Sequence, residues 1–307
     1  MQTISSAAAS QKHHISVCIC TFKRAELLKQ LLDKLNDQQT GGLFTFSVVI
    51  ADNDKLRSAE SVVADFSRTA RSPVIYCSEP QQNIAMARNK ALQNATGDLI
   101  AFIDDDEFPA DGWLCNLVKT YDAFGVAGVL GPVKPFFQNK PPDWAVKGRF
   151  FERPSHTTGF KIGWSEARTG NVLFARSILN GLEAPFSSEF STAGEDVDFF
   201  RRMSENNCTF IWCDEAVVYE ILPPSRCTRT YLLRRALLRG SNFRKHPTNR
   251  IRNGVKSLIA VPCYTLALPI LALFGQAVFL RYLIRLCDHA SRLLGFLGVK
   301  LMTQRQM

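Results

Sequence analysis

The feature that most constrains this chain is a short apolar run that ends in four consecutive carboxylates. Residues 97–107 read Gly-Asp-Leu-Ile-Ala-Phe-Ile-Asp-Asp-Asp-Glu, and the apolar residues 99–103 predict a central strand of a parallel sheet. Ligands of such sheets bind beyond the carboxyl ends of the strands. Clustered carboxylates are costly there without a cation, and hard oxygen ligands favour Mg²⁺ or Mn²⁺ bound together with substrate phosphates. The alternative interpretation is a solvated acidic turn.

Strands and helices alternate along the N-terminal third, which predicts an α/β domain with a mostly parallel sheet. The other predicted strands lie at residues 15–20, 46–51, 74–77, 126–133 and 169–174, and the predicted helices at 25–35, 58–66, 83–95 and 113–118. Residues 1–14 are small and polar and predict a loose terminus without the apolar core of a signal peptide, so we expect a domain that is not exported. Residues 134–168 are irregular, with Trp144 and Trp164 among basic residues, and predict either a flexible connection or a wall that faces the substrate.

Polar residues follow the carboxyl ends of three predicted strands, at residues 21–24, 52–54 and 104–106. Because parallel strands end at the same edge of a sheet, we expect these residues to converge, although each alone could be an ordinary capping or turn residue. Arginine in the first loop can pair with phosphate, and aspartate in the second can accept hydrogen bonds from a base or ribose. Arg88, on the helix before the acidic strand, is either a second contact for an anionic ligand or a partner that holds the Asp cluster.

A second acidic group, Gly194-Glu195-Asp196-Val197-Asp198, stands directly before a predicted helix. Carboxylates in the first turn of a helix are ordinary capping chemistry. In the functional interpretation one of them is a general base, with Asp196 as the first candidate and Glu195 as the second. A carboxylate aimed at an acceptor hydroxyl, opposite a metal-bound leaving group, is what an in-line displacement requires.

The net charge of +9 is concentrated near the C-terminus. Residues 1–225 hold 22 Lys or Arg against 27 Asp or Glu, whereas residues 226–307 hold 15 basic residues and a single acid, Asp288. This distribution excludes a uniformly basic surface, and we expect no nucleic-acid partner. The nine cysteines include no Cys-x-x-Cys pair, which predicts free thiols in a reducing cytoplasm rather than disulfides or a zinc site.

The basic C-terminal region contains residues 257–280, a run of 24 residues without a charge. The run is long enough to cross a bilayer, but it contains Pro262, Pro269 and Gly275 and has basic residues on both sides. We therefore expect a kinked re-entrant or in-plane segment on an anionic cytoplasmic leaflet of the inner membrane. A buried pair of soluble helices is the alternative.

Five motifs in order resemble those of glycosyltransferase family 2, and especially of its bacterial succinoglycan-type exopolysaccharide β-glucosyltransferases. They are Cys20-Thr21-Phe22-Lys23-Arg24, Ala51-Asp52-Asn53-Asp54, Asn83 with Ala87-Arg88-Asn89, the acidic strand with its D-x-D motif, and Gly194-Glu195-Asp196. The resemblance covers roughly residues 14–245. It implies a GT-A fold, which is Rossmann-like, over residues 15–245, followed by membrane-associated helices over residues 246–307.

The family implies an inverting enzyme with a nucleotide-sugar donor, usually a UDP-sugar, bound with Mg²⁺ or Mn²⁺. By motif, Asp52 would contact the base, Asp104 the ribose or sugar, Asp106 the metal, and Asp196 would be the catalytic base. Thr21 and Arg24 would line the nucleotide pocket. The processive polymerases of the family carry Gln-x-x-Arg-Trp after the Asp196 helix, and here Arg234 and Arg235 lie in that region without the Trp. The resemblance thus implies addition of one sugar, such as glucose from UDP-glucose, to a lipid-linked saccharide acceptor in cell-surface polysaccharide synthesis.

Two other functions are compatible with parts of this pattern. A metal-dependent phosphohydrolase also places Asp-x-Asp after a strand, but that class uses the first strand of its domain and wants Thr or Val two residues beyond the second Asp, where this chain has Phe108. A membrane-tethered binding module without enzymatic activity would leave the converging Asp residues unexplained.

Overall fold

The computed structural model describes residues 12–190, 194–242, 250–296 and 299. Of the N-terminal segment expected to be loose, residues 1–11 lie outside the described residues, and the first strand begins at His13. The strands are β1 His13–Thr21, β2 Phe44–Asp52, β3 Val74–Ser78, β4 Leu99–Ile103, β5 Glu107–Pro109, β6 Gly128–Leu130, β7 Val133–Phe137, β8 Asn171–Ala175, β9 Phe210–Trp212 and β10 Val218–Leu222. The helices are α1 Ala25–Asn36, α2 Glu60–Ser67, α3 Ile84–Asn94, α4 Trp113–Phe124, α5 Asp143–Lys147, α6 Glu195–Glu205, α7 Arg229–Asn242, α8 Arg250–Ala272 and α9 Gln276–Phe296.

The central sheet has seven strands in the order β3-β2-β1-β4-β8-β6-β9. Strands β3, β2, β1 and β4 are parallel, as predicted, so the polar segments after β1, β2 and β4 leave the same edge. Strand β8 runs antiparallel to β4 and pairs Asn171 with Ile103. That register brings the segment before β8 beside the carboxyl end of β4, where the acidic residues begin.

A smaller sheet has the order β5-β10-β7 and starts immediately after the acidic residues. The predicted single strand at 126–133 is wrong in this respect, because it divides into β6 in the large sheet and β7 in the small one. The break falls at Gly131, where an added Cβ would lie 2.3 Å from the carbonyl oxygen of Ala216. The close backbone approach requires glycine there, and the chain changes sheets at that point.

Two apolar clusters cover the two faces of the large sheet. Leucines of α1 at helical spacing, Leu28, Leu31, Leu32 and Leu35, are fully buried on one face together with Trp113 of α4. The other face carries small alanines of α3 and a group of phenylalanines from β8, α6 and the segment before α6. The resulting three layers place the ends of β1, β2 and β4 in contact with the starts of α3 and α6.

The segment expected to be kinked lies within α8, the turn after it and the start of α9. Helix α8 runs unbroken through Pro262 and Pro269, and the chain turns only at Gly275, whose φ of +101° lies in the left-handed region that glycine tolerates. Residues Gly254–Ala272 of α8 are long and apolar enough to cross a membrane by length and composition, with a mean hydropathy of 1.7. Only 6% of that stretch is buried within the protein.

A histidine at the start of β1 gives the fold a pH-dependent contact away from the rim. His13 Nδ1 lies 2.5 Å from an Asp98 oxygen and its Nε2 lies 3.0 Å from an Asp122 oxygen. Although partial burial lowers the pKa of His13, the two carboxylates outweigh it and hold the pKa above the ordinary 6.5.

We expect this His13 contact to stabilise the fold most at acidic pH. The contribution is fully present below the pKa of the unfolded state and is lost as pH rises through the higher folded pKa. Urea unfolding across a pH series around neutrality should therefore show a free energy of unfolding that falls as pH rises. In the His13→Gln variant this pH-dependent fall should be absent. An equal slope in both proteins would contradict the assignment.

Candidate active site

The β1 and β4 loops are joined at the rim by Asp105. Its carboxylate accepts hydrogen bonds from Thr21 Oγ1 at 2.8 Å and from Arg24 Nη1 at 2.9 Å. Burial raises the pKa of Asp105 to about 6, a shift that the Arg24 charge and the two hydrogen bonds limit. The predicted convergence of these loops is thus confirmed, and Asp105 is the residue that joins them.

Asp106 lies between two guanidinium groups. One of its oxygens is 3.1 Å from Arg24 Nη1 and 2.9 Å from Arg226 Nη1. Arg226 belongs to the segment between β10 and α7 and also approaches Glu220 at 3.4 Å. The backbone of Asp106 is fixed as well, because its carbonyl accepts from the Ile221 amide at 2.8 Å.

Arg88 of α3 forms a buried ion pair with Glu195 at the start of α6. Its other Nη atom lies 3.7 Å from an oxygen of Asp104. Burial alone would lower the pKa of Arg88, but the charges of Glu195 and Asp104 raise it above its ordinary range, so the guanidinium stays protonated. The structure thus shows Arg88 as a partner of the acidic residues, and its contact with an anionic ligand stays a prediction.

Asp104 and Asp196 line one cavity of about 410 Å³. Asp196 stands in the first turn of α6, where its Oδ1 accepts from the Val197 amide at 2.7 Å and its Oδ2 is 3.9 Å from Arg168 Nε. Arg88, Arg153, His156 and Arg235 also line the cavity. Two carboxylates from different elements therefore face a space large enough for a sugar, surrounded by basic groups.

Helix α3 sets the distance between these carboxylates through two asparagines. Asn83 caps α3 by accepting from the Ala85 and Met86 amides and donates to the Ser188 carbonyl at 2.9 Å. Asn89 exchanges two hydrogen bonds with the Phe186 backbone, at 2.8 and 2.9 Å. The segment leading toward α6 is therefore held to the same helix that carries Arg88.

The buried Glu107 side chain holds the backbone of the acidic loop in place. It is 1% exposed, and one of its oxygens accepts from the Asp104 amide at 3.2 Å. Burial, followed by the Asp104 charge, raises the pKa of Glu107 well above its ordinary value. Gly170 leaves room for this carboxyl, because a Cβ there would lie 2.9 Å from Glu107 Oε1 and 3.2 Å from Asp104 Oδ2. At Gly170 the segment before β8 thus leaves the space that these two carboxyl groups occupy.

Asp52 is fully buried at the end of β2. Its oxygens accept from the Asp54 amide at 3.0 Å, the Ala59 amide at 2.8 Å and the Tyr76 hydroxyl at 3.0 Å. In this conformation Asp52 shapes the β2–α2 loop, and the contact with a base that the motif implies stays a prediction.

The predicted wall at residues 134–168 contributes to the cavity through different residues from those expected. Trp164 lines a separate cavity of about 280 Å³, and Trp144 packs beside Phe150 and under Arg229. The site cavity instead receives Arg153, His156 and Arg168 from this segment. Sequence reasoning also missed Arg226, because no periodicity or spacing links it to the rim, and it gave Glu107 of the acidic run no role.

A divalent metal fits the site only together with a substrate. Within residues 12–190, 194–242 and 250–296, no group of three or more His, Cys, Asp or Glu side chains could hold a metal by itself. The half-exposed Asp104 carboxylate and Asp106 supply two oxygen donors, and Mg²⁺ is commonly bound by one or two carboxylates plus phosphate oxygens. Arg24 and Arg226 already contact one carboxylate oxygen of Asp106. Binding of a metal to that oxygen would require the two arginines to move.

A nucleotide-binding type of α/β sheet with acidic residues at this edge defines an enzyme of the glycosyltransferase class with the GT-A fold. The chain belongs to the family described as Glycosyl transferase family 2, whose sequence model matches residues 16–179. It is 32% identical over 303 residues to "Succinoglycan biosynthesis protein ExoM" of Rhizobium meliloti, covering 94% of each chain. It is 24% identical to "Glycosyltransferase AglE" of Haloferax volcanii, covering 66% of this chain and 65% of that protein.

Solved structures support the same fold. The mannosyltransferase PcManGT from Pyrobaculum calidifontis, in complex with GDP-Man and Mn²⁺, matches with a TM-score of 0.62 at 20% identity, over 94% of this chain and 87% of that one. Residues 1–349 of TarS from S. aureus, in complex with UDP, match with a TM-score of 0.54 at 17% identity, over 92% and 90% of the two chains. Membership of the family sets aside the phosphohydrolase and the non-enzymatic binding module.

Proposed function

We propose that this protein is an inverting, metal-dependent glycosyltransferase that moves one glucose from UDP-glucose to a lipid-linked saccharide in exopolysaccharide or other cell-surface polysaccharide synthesis. The observation that carries the proposal is the cavity shared by Asp104 and Asp196, because it puts a donor-side carboxylate and a candidate base around one space. The relative named for succinoglycan biosynthesis, aligned over 94% of this chain, supports the polysaccharide pathway.

In the proposed reaction Asp196 accepts the proton of the acceptor hydroxyl. That oxygen bonds to the anomeric carbon from the face opposite the nucleotide, the bond from the anomeric carbon to the phosphate oxygen breaks, and the diphosphate leaves with the electron pair. Configuration therefore inverts. Arg168 Nε lies 3.9 Å from Asp196 Oδ2, so a guanidinium group stands beside the carboxylate that would accept the proton.

For the donor, we assign Thr21, Arg24, Asp52, Arg88 and Asp104 to nucleotide-sugar binding and Asp106 to the metal. Arg24 and Arg226 supply positive charge at the rim, where a diphosphate would need it. Mg²⁺ or Mn²⁺ held by Asp106 would stabilise the negative charge on the departing diphosphate. The nucleotide in the matched structures is a GDP-sugar in one and UDP in another, so UDP is our choice from the family resemblance.

The choice of acceptor rests on the C-terminal helices. The apolar and mostly unburied Gly254–Ala272 stretch, within a strongly basic region, supports attachment to the cytoplasmic leaflet of the inner membrane. An enzyme and a lipid-linked acceptor that share one surface meet without a search through solution.

The direct test is a panel of radiolabelled nucleotide-sugars offered to the protein with membranes that contain the lipid-linked acceptor. We expect label to enter the lipid fraction from UDP-glucose and not from GDP-mannose. Transfer from GDP-mannose alone would overturn the choice of donor, and no transfer from any donor would overturn the proposed reaction.

Metal dependence is tested by calorimetry with UDP in the presence of Mn²⁺ or of a chelator. We expect UDP affinity to fall by at least about tenfold on chelation, because the diphosphate then lacks its bridging cation. Asp106→Asn should reduce the difference between the two conditions, whereas Asp65→Asn on the exposed surface of α2 should not. Equal UDP affinity with and without metal in the unmodified protein would contradict the assignment of Asp106.

A further inference from the structure

One face of α8 is apolar and exposed from Leu258 to the end of the helix. We define the α8 stripe as Leu258, Ile259, Leu266 and Ile270 of the helix with Leu273 and Phe274 of the following turn, whose exposed fractions lie between 61% and 84%. Ile259, Leu266 and Ile270 are separated by seven and four positions and so share one side of the helix, with Leu258 next to Ile259. The stripe extends over about 25 Å at 1.5 Å per residue. An apolar surface of this length is not left in water without a partner.

The opposite face of α8 is held by α9. Ser257 Oγ lies 2.9 Å from His289 Nδ1, and the ring of Tyr264 lies 5.7 Å from that of Tyr282 and 5.8 Å from that of His289. These contacts span about two turns of each helix, with the two helices in antiparallel order. Helix α8 therefore cannot enter a membrane without taking α9 along.

Helix α9 is in turn fixed to the globular domain and to α7. Leu280 is buried with Phe151 and Leu232, and Arg281 donates to the Gly148 carbonyl at 3.0 Å. Further along, Ser291 Oγ donates to the Leu237 carbonyl. The first turns of α7 and α9 are tied to each other, because Arg229 donates to Gln276 at 2.7 Å. The three helices form one packed unit on the catalytic domain.

This packing argues against a transmembrane orientation of α8. If α8 crossed the bilayer, α7 and α9 would lie alongside it in the hydrocarbon. Charged groups on these two helices, Arg234, Arg235, Arg281, Arg285 and Asp288 among them, would then be placed where charged groups are strongly unfavourable. Only the stripe itself can enter the apolar layer without this cost.

We propose that α8 lies in the plane of an anionic lipid leaflet, with the α8 stripe inserted among the acyl chains and α9 and α7 between it and the catalytic domain. The charge of the segment fits this partner. Residues 226–307 carry 15 basic residues and one acid, and basic residues beside an inserted apolar face bind anionic headgroups. Lys256, next to the stripe, is exposed on α8.

The in-plane orientation of α8 extends the proposed function. What it implies for the acceptor rests on that proposed function. Helix α7 carries Arg235 to the wall of the 410 Å³ cavity and packs against α9. The cavity is then held at a fixed height above the headgroups. A saccharide joined to a lipid in the same leaflet would reach Asp196 along the membrane surface.

Binding of the full-length protein to lipid vesicles tests the inserted face. We expect flotation with vesicles of phosphatidylcholine that contain phosphatidylglycerol, and weaker binding to phosphatidylcholine alone. Leu266→Glu should lower the partition coefficient by at least about tenfold, because a carboxylate then sits in the apolar layer. The matched control is Leu43→Glu, which changes an exposed leucine, 43% accessible, on the catalytic domain. Equal losses in both variants, or no vesicle binding by the unmodified protein, would overturn the proposal.

Labelling in intact spheroplasts separates the in-plane and spanning orientations. Lys256→Cys on α8 and Lys29→Cys on exposed α1 are treated with a membrane-impermeant maleimide, and modified sites are identified by mass spectrometry. The proposal predicts that neither introduced cysteine is labelled in intact spheroplasts. After the cells are lysed, both cysteines should be labelled. Labelling of position 256 in intact cells would show that α8 crosses the membrane. Neither experiment requires sugar transfer, so a failure here is distinguishable from a failure of the proposed reaction.

Discussion

Asp196→Asn is expected to reduce sugar transfer by about 10²–10⁴-fold while leaving nucleotide binding intact. The amide keeps the size of the carboxylate and can still face the cavity, but it cannot take the proton from the acceptor hydroxyl. Initial rates of label transfer and UDP affinity by calorimetry would be measured on the same preparation. The expected result is a large loss in the rate with an unchanged dissociation constant.

The matched control for this variant is Glu205→Gln. Glu205 lies at the last position of the same helix, where it pairs with Arg201 in solvent, and its neutral form should transfer sugar at the original rate. Transfer at the original rate by Asp196→Asn would exclude Asp196 as the base. In that case Glu195, the second candidate from the sequence, would not replace it easily, because its carboxylate is already paired with Arg88.

Arg88→Met is expected to destabilise the fold by about 3–5 kcal/mol, because it leaves a buried carboxylate without its partner. Glu195 is 4% exposed, and its Oε2 has no hydrogen-bond partner among the described residues. Urea unfolding of the variant and the unmodified protein at neutral pH measures the difference. Burial raises the pKa of Glu195, and without Arg88 the pKa should rise further, so the destabilisation should shrink as pH falls and Glu195 becomes protonated.

A double variant separates stability from function at this ion pair. Replacing both partners, Arg88→Met with Glu195→Leu, removes the uncompensated charge and should recover most of the lost free energy of unfolding. Transfer should stay low, because Asp104 has also lost the guanidinium at 3.7 Å. Recovery of both stability and transfer in the double variant would mean that the pair has no part in positioning Asp104.

The edge of the sheet where the site forms could be predicted from the sequence, because strand ends are visible as apolar runs that stop at polar residues. Thr21, Arg24 and the residues after β4 converge for this reason. The positions of Asp196 and Arg226 could not be predicted in the same way. They depend on the antiparallel β8 and on packing between elements more than 80 residues apart in the chain, such as the contact of Arg226 with Asp106, separated by 120 residues.

The C-terminal region shows a similar division. The sequence predicted an apolar segment with basic flanks, and α8 has both. Both prolines lie inside a continuous helix, so the helix does not end at either of them, and the expected kink stays a prediction. The exposed and packed sides of that helix became distinguishable only from its contacts with α9, since nearly every residue of the segment is apolar and gives no periodic signal.

The asparagine contacts of α3 have a consequence for how enzymes built on this plan could diversify. Asn83 and Asn89 bind the backbone at Ser188 and Phe186, so the segment leading toward α6 is anchored to α3, whereas residues 138–168 supply Arg153, His156 and Arg168 to the cavity. If the proposed function holds, substitutions at Arg153 and His156 would alter which saccharide is accepted while this anchor stays in place. The segment anchored to α3 is the part of this site that must stay constant, and residues 138–168 are the part that is free to change.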